Sequence, residues 1–164
     1  MHEFFNVVSM MQNRDFFRGF NSIFGKVGRF ASEEVVIALL KAKCLPILLY
    51  ATEAVPLLSR QRQSFEFTLT RIFMKMFSTG SSTVVNECLR CFNFLPIYLQ
   101  LYIRTARFLQ RFLALESSLC YVFAETAKLQ LGLIFSQFGS NINTACELNN
   151  AVYNKFSQDG IIVV

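Results

Sequence analysis

The sequence predicts an all-α fold, an irregular bundle of about six to seven helices. Apolar residues recur at helical spacing along most of the chain, and loop-forming residues such as "STGSS" at 78–82 separate these segments. The 164 residues are 53% hydrophobic and 16% charged, with 19 phenylalanines. This composition excludes a disordered chain and favours a packed core, with some apolar surface left for a partner to cover.

The first helix is predicted at about 13–24 from its phenylalanines. The stretch after it superficially resembles a phosphate-binding loop, G-x-x-x-x-G-K-[ST]. However, Gly19 and Gly25 are one residue too far apart, and Val27 stands where the hydroxyl should be. Gly25 and Gly28 are therefore predicted to be a helix stop and a turn.

Ser32 is predicted to cap a second helix, at about 33–44. Its expected inward residues are Val35, Val36, Leu39 and Leu40, with Lys41 and Lys43 outward. Proline does not fit a helix interior, so Pro46 is predicted to open a new apolar turn, "PILLYATEA".

A longer helix is predicted at 59–77, capped by Ser59. One face of it is expected to be apolar, with the stripe Phe65, Leu69, Ile72, Phe73 and Met76. A short helix, "TVVNECLRCF", follows the 78–82 loop.

Pro96 is predicted to start the next long helix, which runs through Leu115. Another helix is expected to end near Phe138. In the last helix Thr144 and Glu147 have the spacing of a capping box, and Ala145, Leu148, Val152 and Phe156 are expected to face inward. The terminal "IIVV" is the one segment with strand character.

The residue types exclude most enzyme chemistry. The chain has a single histidine, His2, and two aspartates, Asp15 and Asp159. These numbers disfavour nucleophilic triads and two-metal sites, so no catalytic residue, metal or cofactor is predicted. Cys88 and Cys91 form a C-x-x-C without a second ligand pair, and they are interpreted as buried thiols.

Basic charge is concentrated in one part of the chain. The net charge is +5, whereas the segment 13–112 contains 14 basic and 6 acidic residues. Within it, Arg104, Arg107 and Arg111 recur at i, i+3 and i+7 and so share a helical face. Such a face suits a phosphate backbone, and the alternative is an ordinary solvated face.

No segment has the length and apolarity of a membrane span, and the acidic start "MHEFFNVV" does not resemble a signal peptide. An intracellular location, cytoplasm or nucleus, is therefore expected. The five cysteines are expected to be reduced thiols.

Three blocks of the sequence carry a family pattern. They are "FFRGFNSIFGKVGRFASEEVVIALLKAKCLPILLYATEAVPL", "FEFTLTRIFMKMFSTGSSTVVNEC" and "FNFLPIYLQLYIRTARFLQRF". They resemble the C-terminal part of the reverse-transcriptase polyprotein of non-LTR retrotransposons, of the long-interspersed, jockey-like kind. The resemblance is collinear from about 13 to 112. The family's usual "LLYGLEACPL" is here "LLYATEAVPL".

The resemblance implies a division of the chain into a non-family segment at 1–12, a thumb/connector-like helical region at 13–112, a helical extension at 113–158 and a tail at 159–164. The Y-x-D-D aspartates of the family's palm are not in this chain. The resemblance therefore implies a non-catalytic C-terminal fragment of an RNA-directed DNA polymerase, which is not an enzyme on its own.

The implied partners are the backbone of an RNA–DNA or DNA duplex, together with the missing palm domain or another protein on the exposed apolar face. The nucleic-acid contacts are expected from Arg104, Arg107 and Arg111 and from the turn that contains Lys26 and Arg29. The alternative is a host-used helical module for protein–protein interaction.

Overall fold

The computed structural model describes residues 2–28, 30–54, 57–139 and 141–158. All regular secondary structure within these ranges is helical, which confirms the predicted all-α class; the terminal "IIVV" lies outside them. The segments are α1 (His2–Val27), α2 (Glu33–Leu39), a π turn (Leu40–Cys44), α3 (Leu45–Leu48), α4 (Ser59–Met76), α5 (Ser82–Cys91), α6 (Ile97–Leu113), α7 (Ser118–Ser136) and α8 (Ala145–Gln158).

Two compact units divide the chain, Met1–Ile97 and Tyr98–Val164. The boundary between these units is defined by which residues pack together. The boundary predicted at 112/113 is of another kind, because it marks where the family resemblance weakens, and it stays a prediction. Within the part of the molecule described, no helix is long and apolar enough to cross a membrane.

In the first unit, α1 packs against the α2–π–α3 rod and against α4, and α4 packs against α5. Asn13 of α1 links to α4 through Ser64 at 2.9 Å and Thr68 at 3.0 Å. The most deeply buried side chains of this unit are large and apolar: Phe16, Phe20, Leu40, Leu48, Leu49, Phe65, Leu69, Ile72, Phe73 and Phe94.

The first helix is longer than predicted, and Gly25 lies inside it rather than at its end. Gly28 forms the turn instead. Its N–H donates to the carbonyl of Phe24 at 2.9 Å, and a Cβ at this position would lie 2.6 Å from the same oxygen. Only the second of the two predicted glycine roles is therefore found.

The predicted new turn at Pro46 is α3, which begins at Leu45 with Pro46 in its first turn and follows the π turn without a loop. Leu45 N–H bonds to the carbonyl of Leu40, five residues back. This wide turn accommodates a proline that has no N–H to donate. A row of residues four apart drifts around the axis of an α-helix, and the wider π turn reduces that drift.

The buried residues of the rod follow this spacing of about four: Val36, Ile37, Leu40, Cys44 and Leu48. Val35, which was expected to face inward, is 48% exposed, and Leu39 is half-buried. Ser32 occupies the N-cap position of α2 but makes no side-chain cap bond. Lys41 and Lys43 are exposed, as predicted.

Helix α4 agrees with its predicted stripe, since Phe65, Leu69, Ile72 and Phe73 are buried and Met76 is half-buried. The cap differs by one residue. The N-cap position is Leu58, whose N–H donates to the Gln61 side chain at 3.0 Å.

In the second unit the predicted capping box of α8 is present. Glu147 N–H donates to Thr144 Oγ1 at 3.2 Å, and Thr144 N–H donates to the Glu147 carboxylate at 3.2 Å. All four expected inward residues of α8 are buried. The buried residues of α7 and α8 are Cys120, Ala127, Ile134, Phe135, Ala145, Leu148, Val152 and Phe156.

Candidate nucleic-acid interface

Helix α6 places the three predicted arginines on one face. Arg104, Arg107 and Arg111 span seven residues, a rise of about 10.5 Å along the axis. Much of the rest of the helix is buried: Leu99, Leu101, Ile103, Ala106 and Leu109 are each at most 8% exposed. These apolar residues fix α6 in the structure, and the arginine face lies on the side of the helix toward solvent.

The three arginines are not equivalent. Arg107 and Arg111 are exposed, whereas Arg104 is half-buried and already has an interaction partner. Arg104 therefore reaches solvent only in part. Helical spacing shows which residues share a face, but the depth of that face depends on neighbouring elements.

Helix α8 supports the arginine face. Arg107 Nη2 donates to Asn149 Oδ1 at 3.3 Å. One turn further along α6, the Gln110 side chain accepts from Ala145 N–H at 2.9 Å and donates to the carbonyl of Asn143 at 3.3 Å. The start of α8 is thus hydrogen-bonded to α6 one turn from Arg107.

Sequence reasoning missed these supporting residues. Arg107 and Asn149 are 42 positions apart, and Gln110 and Ala145 are 35 apart. Their amide side chains match no motif. The only local signal is that Gln110 and Arg107 are neighbours at i and i+3 on α6.

The charge of the second unit comes from this face. Helix α6 contains three arginines and no acidic residue. Elsewhere in the described part of the unit, Lys128 pairs with Glu125 at 3.0 Å, and Lys155, Glu116 and Glu147 complete the charged set. Neither Arg107 nor Arg111 forms an ion pair with any residue that the structure describes.

The second predicted contact was the turn with Lys26 and Arg29. Lys26 is exposed in the last turn of α1, and Arg29 lies outside the described residues. Phe30, which follows, is 91% exposed. Lys26 belongs to the first unit and the arginine face to the second.

The two cysteines of the C-x-x-C differ from their predicted state. Cys91 is exposed and Cys88 half-buried, because α5 buries Val85 and Leu89 and leaves the cysteines beside that stripe. Partial burial raises the pKa of the Cys88 thiol, with smaller contributions from Cys91 and Glu87. Among the described residues, no group of three or more His, Cys, Asp or Glu side chains is placed to hold a metal.

Comparisons with protein-family models, with curated proteins and with solved structures found no match to this chain.

Proposed function

We propose that the chain is the thumb/connector-like C-terminal part of a non-LTR retrotransposon reverse transcriptase, and that its arginine face binds the backbone of a nucleic-acid duplex. One observation carries the binding proposal. Two exposed guanidinium groups, Arg107 and Arg111, lie one turn apart on a helix with no acidic residue.

The chemistry of the proposed contact is that of guanidinium and phosphate. Each arginine offers a planar fork of donors that matches two phosphate oxygens. The neutralised phosphate releases its condensed counterion, which makes the affinity depend on salt. Because phosphate contacts carry no base information, the binding has no sequence preference. Arg104 is half-buried and flanks the two exposed arginines, so its contribution is the smallest of the three.

The test is a salt titration with a fluorescently labelled RNA–DNA hybrid and a B-form DNA duplex of the same length. On B-form DNA each phosphate contact contributes roughly −0.9 to the log–log salt slope. We expect a slope between about −2 and −3 for the parent chain, according to whether Arg104 takes part. The triple change Arg104→Glu, Arg107→Glu and Arg111→Glu should remove most of the binding.

A matched control separates a site from general charge. The pair Arg107→Glu and Arg111→Glu changes the net charge by the same amount as Lys128→Glu and Lys155→Glu, which lie in the same unit. We expect a large loss of duplex affinity for the arginine pair and a small loss for the lysine pair. Equal affinities of the two double variants across the titration would show that the arginine face is only a solvated face.

The alternative function, a helical interaction module, is favoured by a different observation. Helix α7 has an exposed apolar stripe opposite its buried one: Val122 is 74% exposed, Leu129 71% and Leu133 66%. These residues lie at i, i+7 and i+11, the spacing with which one helix packs against another. The partner for this surface is an amphipathic helix with leucines at matching spacing.

A synthetic peptide of that design is a suitable probe. Under the alternative function it binds the parent chain, and Leu129→Lys with Leu133→Lys abolishes the binding while helicity is kept. If the peptide does not bind the parent chain, this function loses its support. Neither result changes the interpretation of the duplex titration.

A further inference from the structure

The outer face of α4 combines positive charge with an exposed aromatic ring. Arg60, Gln63, Phe67 and Arg71, here called the α4 stripe, lie at i, i+3, i+7 and i+11 and therefore on one side of the helix. All four are exposed. The opposite side of α4 belongs to the core of the first unit, so the stripe is held on a fixed element.

Phe67 is the central residue of the α4 stripe. It is 61% exposed, although a large apolar ring is more stable when removed from water. The guanidinium carbon of Arg71 lies 5.6 Å from the centroid of the Phe67 ring, a cation–π arrangement. The Phe67 ring keeps most of its surface open to a ligand beside this guanidinium.

The helix that carries the α4 stripe has a net positive charge. Helix α4 contains four basic residues, Arg60, Arg62, Arg71 and Lys75, and one acidic residue, Glu66. Glu66 is half-buried and already has an interaction partner. Lys75 donates to Asn21 of α1 at 2.7 Å. Arg60 and Arg71 form no ion pair with any described residue and are available for an anion.

We propose that the α4 stripe binds single-stranded nucleic acid, with a base stacked on Phe67 and Arg71. Aromatic rings bordered by arginines are the means by which proteins hold single strands without reading their sequence. Arg60 lies about 10.5 Å from Phe67 along the helix axis and Arg71 about 6 Å on the other side. These side chains contact phosphates of the same strand, and Gln63 offers hydrogen bonds between them.

The exposed ring decides between a single strand and a duplex. In a duplex each base is stacked on its neighbours and presents only its edges, so an aromatic side chain gains nothing from the backbone. In a single strand the faces of the bases are accessible. The α4 stripe lies in the first unit and uses stacking, so it is distinct from the arginine face of α6 and does not depend on it.

The absence of tryptophan from the sequence permits a direct test. Phe67→Trp makes the only tryptophan of the full chain, and stacking of a base on the indole should quench its fluorescence. We expect quenching by oligothymidylate and by oligouridylate, and none by a blunt DNA duplex. The matched control is Tyr121→Trp, because Tyr121 is 72% exposed and lies in the second unit; its fluorescence should not change.

Affinity gives a second measurement. Replacing a stacking aromatic by alanine weakens single-strand binding by about 5- to 150-fold. We expect a loss in this range for Phe67→Ala by fluorescence anisotropy of labelled oligothymidylate, and no loss for Tyr121→Ala. Circular dichroism should be unchanged in both, since both side chains are exposed.

Three outcomes would overturn the proposal. They are no binding of oligonucleotide, binding without any change in the Phe67→Trp fluorescence, and equal quenching by polyglutamate, which would leave only a general affinity for anions. The test is independent of the duplex site, because Arg107→Glu with Arg111→Glu should leave the Phe67→Trp quenching intact.

Discussion

Gly28 has no side chain at the one place where the end of α1 leaves no room for it. A Cβ there would lie 2.6 Å from the Phe24 carbonyl oxygen and 2.7 Å from the Phe24 ring. At Gly25, three residues earlier and inside α1, a Cβ would meet nothing within 4 Å. Glycine is therefore required by the lack of space at Gly28 but not at Gly25, although the two positions look alike in the sequence.

We predict opposite effects of the same change at these two glycines. Gly28→Ala should lower the free energy of unfolding by about 1–3 kcal/mol, because the turn must shift to admit the methyl group. Gly25→Ala should raise it by about 0.5–1 kcal/mol, because alanine is the better residue in a helix interior. Urea unfolding of both variants measures this, and a destabilised Gly25→Ala would contradict the structure of α1.

The five cysteines differ in exposure, which gives a prediction for their reactivity. Cys91 and Cys146 are exposed and Cys44 and Cys120 are buried. We expect rapid alkylation of Cys91 and Cys146 in the folded chain, and alkylation of Cys44 and Cys120 only on unfolding. Cys88 should react slowly, because its raised pKa leaves less thiolate. Peptide mapping of time-resolved alkylation measures each rate, and fast labelling of Cys44 would contradict the packing of the α2–π–α3 rod.

At the scale of helices, the start of α8 follows a local sequence rule. The capping box of Thr144 and Glu147 is closed by two hydrogen bonds of 3.2 Å, and Glu147 also accepts from Asn143 N–H at 2.8 Å. Every partner lies within four residues. A rule that depends only on neighbours can be read from the sequence, and here the prediction was confirmed.

We predict that Thr144→Ala lowers the free energy of unfolding by about 0.5–2 kcal/mol, because one N–H at the start of α8 loses its acceptor. The control is Thr126→Ala on α7, an exposed threonine inside a helix, where alanine is neutral or slightly stabilising. Equal effects of the two changes in urea unfolding would mean that the cap contributes nothing.

The continuity of the rod was less predictable than the capping box of α8, as were the caps predicted at Ser32 and Ser59. The rule that proline opens a helix is local, and it predicted the new turn at Pro46, which lies in the first turn of α3. The π turn at Leu40–Cys44, which joins α2 to α3 without a loop, was not predicted. Leu40 and Cys44 of this turn are buried together with Leu48 of α3. No short sequence window contained a signal for the π turn.

At the scale of the whole molecule, we predict that the purified chain does not extend a primer. Templated synthesis by two metal ions needs several converging carboxylates, and the sequence has only two aspartates, Asp15 and Asp159. The measurement is nucleotide incorporation on RNA and DNA templates with magnesium or manganese. Incorporation by a homogeneous preparation would contradict the proposal that the chain is non-catalytic on its own. A polymerase of known activity is the positive control.

The sequence by itself determined the all-α class, the apolar face of α4 and the inward residues of α8. These follow from helical periodicity, which relates residues three or four positions apart. It also determined that three arginines share one face of α6. These features are local, and contacts with residues far away in the sequence do not change them.

Only the tertiary structure decided how each of these faces meets solvent. It left Arg107 and Arg111 exposed and Arg104 half-buried, and it exposed Cys91, which the sequence had suggested was buried. It also placed Asn149 against Arg107 across 42 positions of sequence. The physical reason is the same for the arginines, for Cys91 and for Asn149. Burial and support depend on which elements pack together, and that choice is made by the summed contacts of residues far apart in the chain.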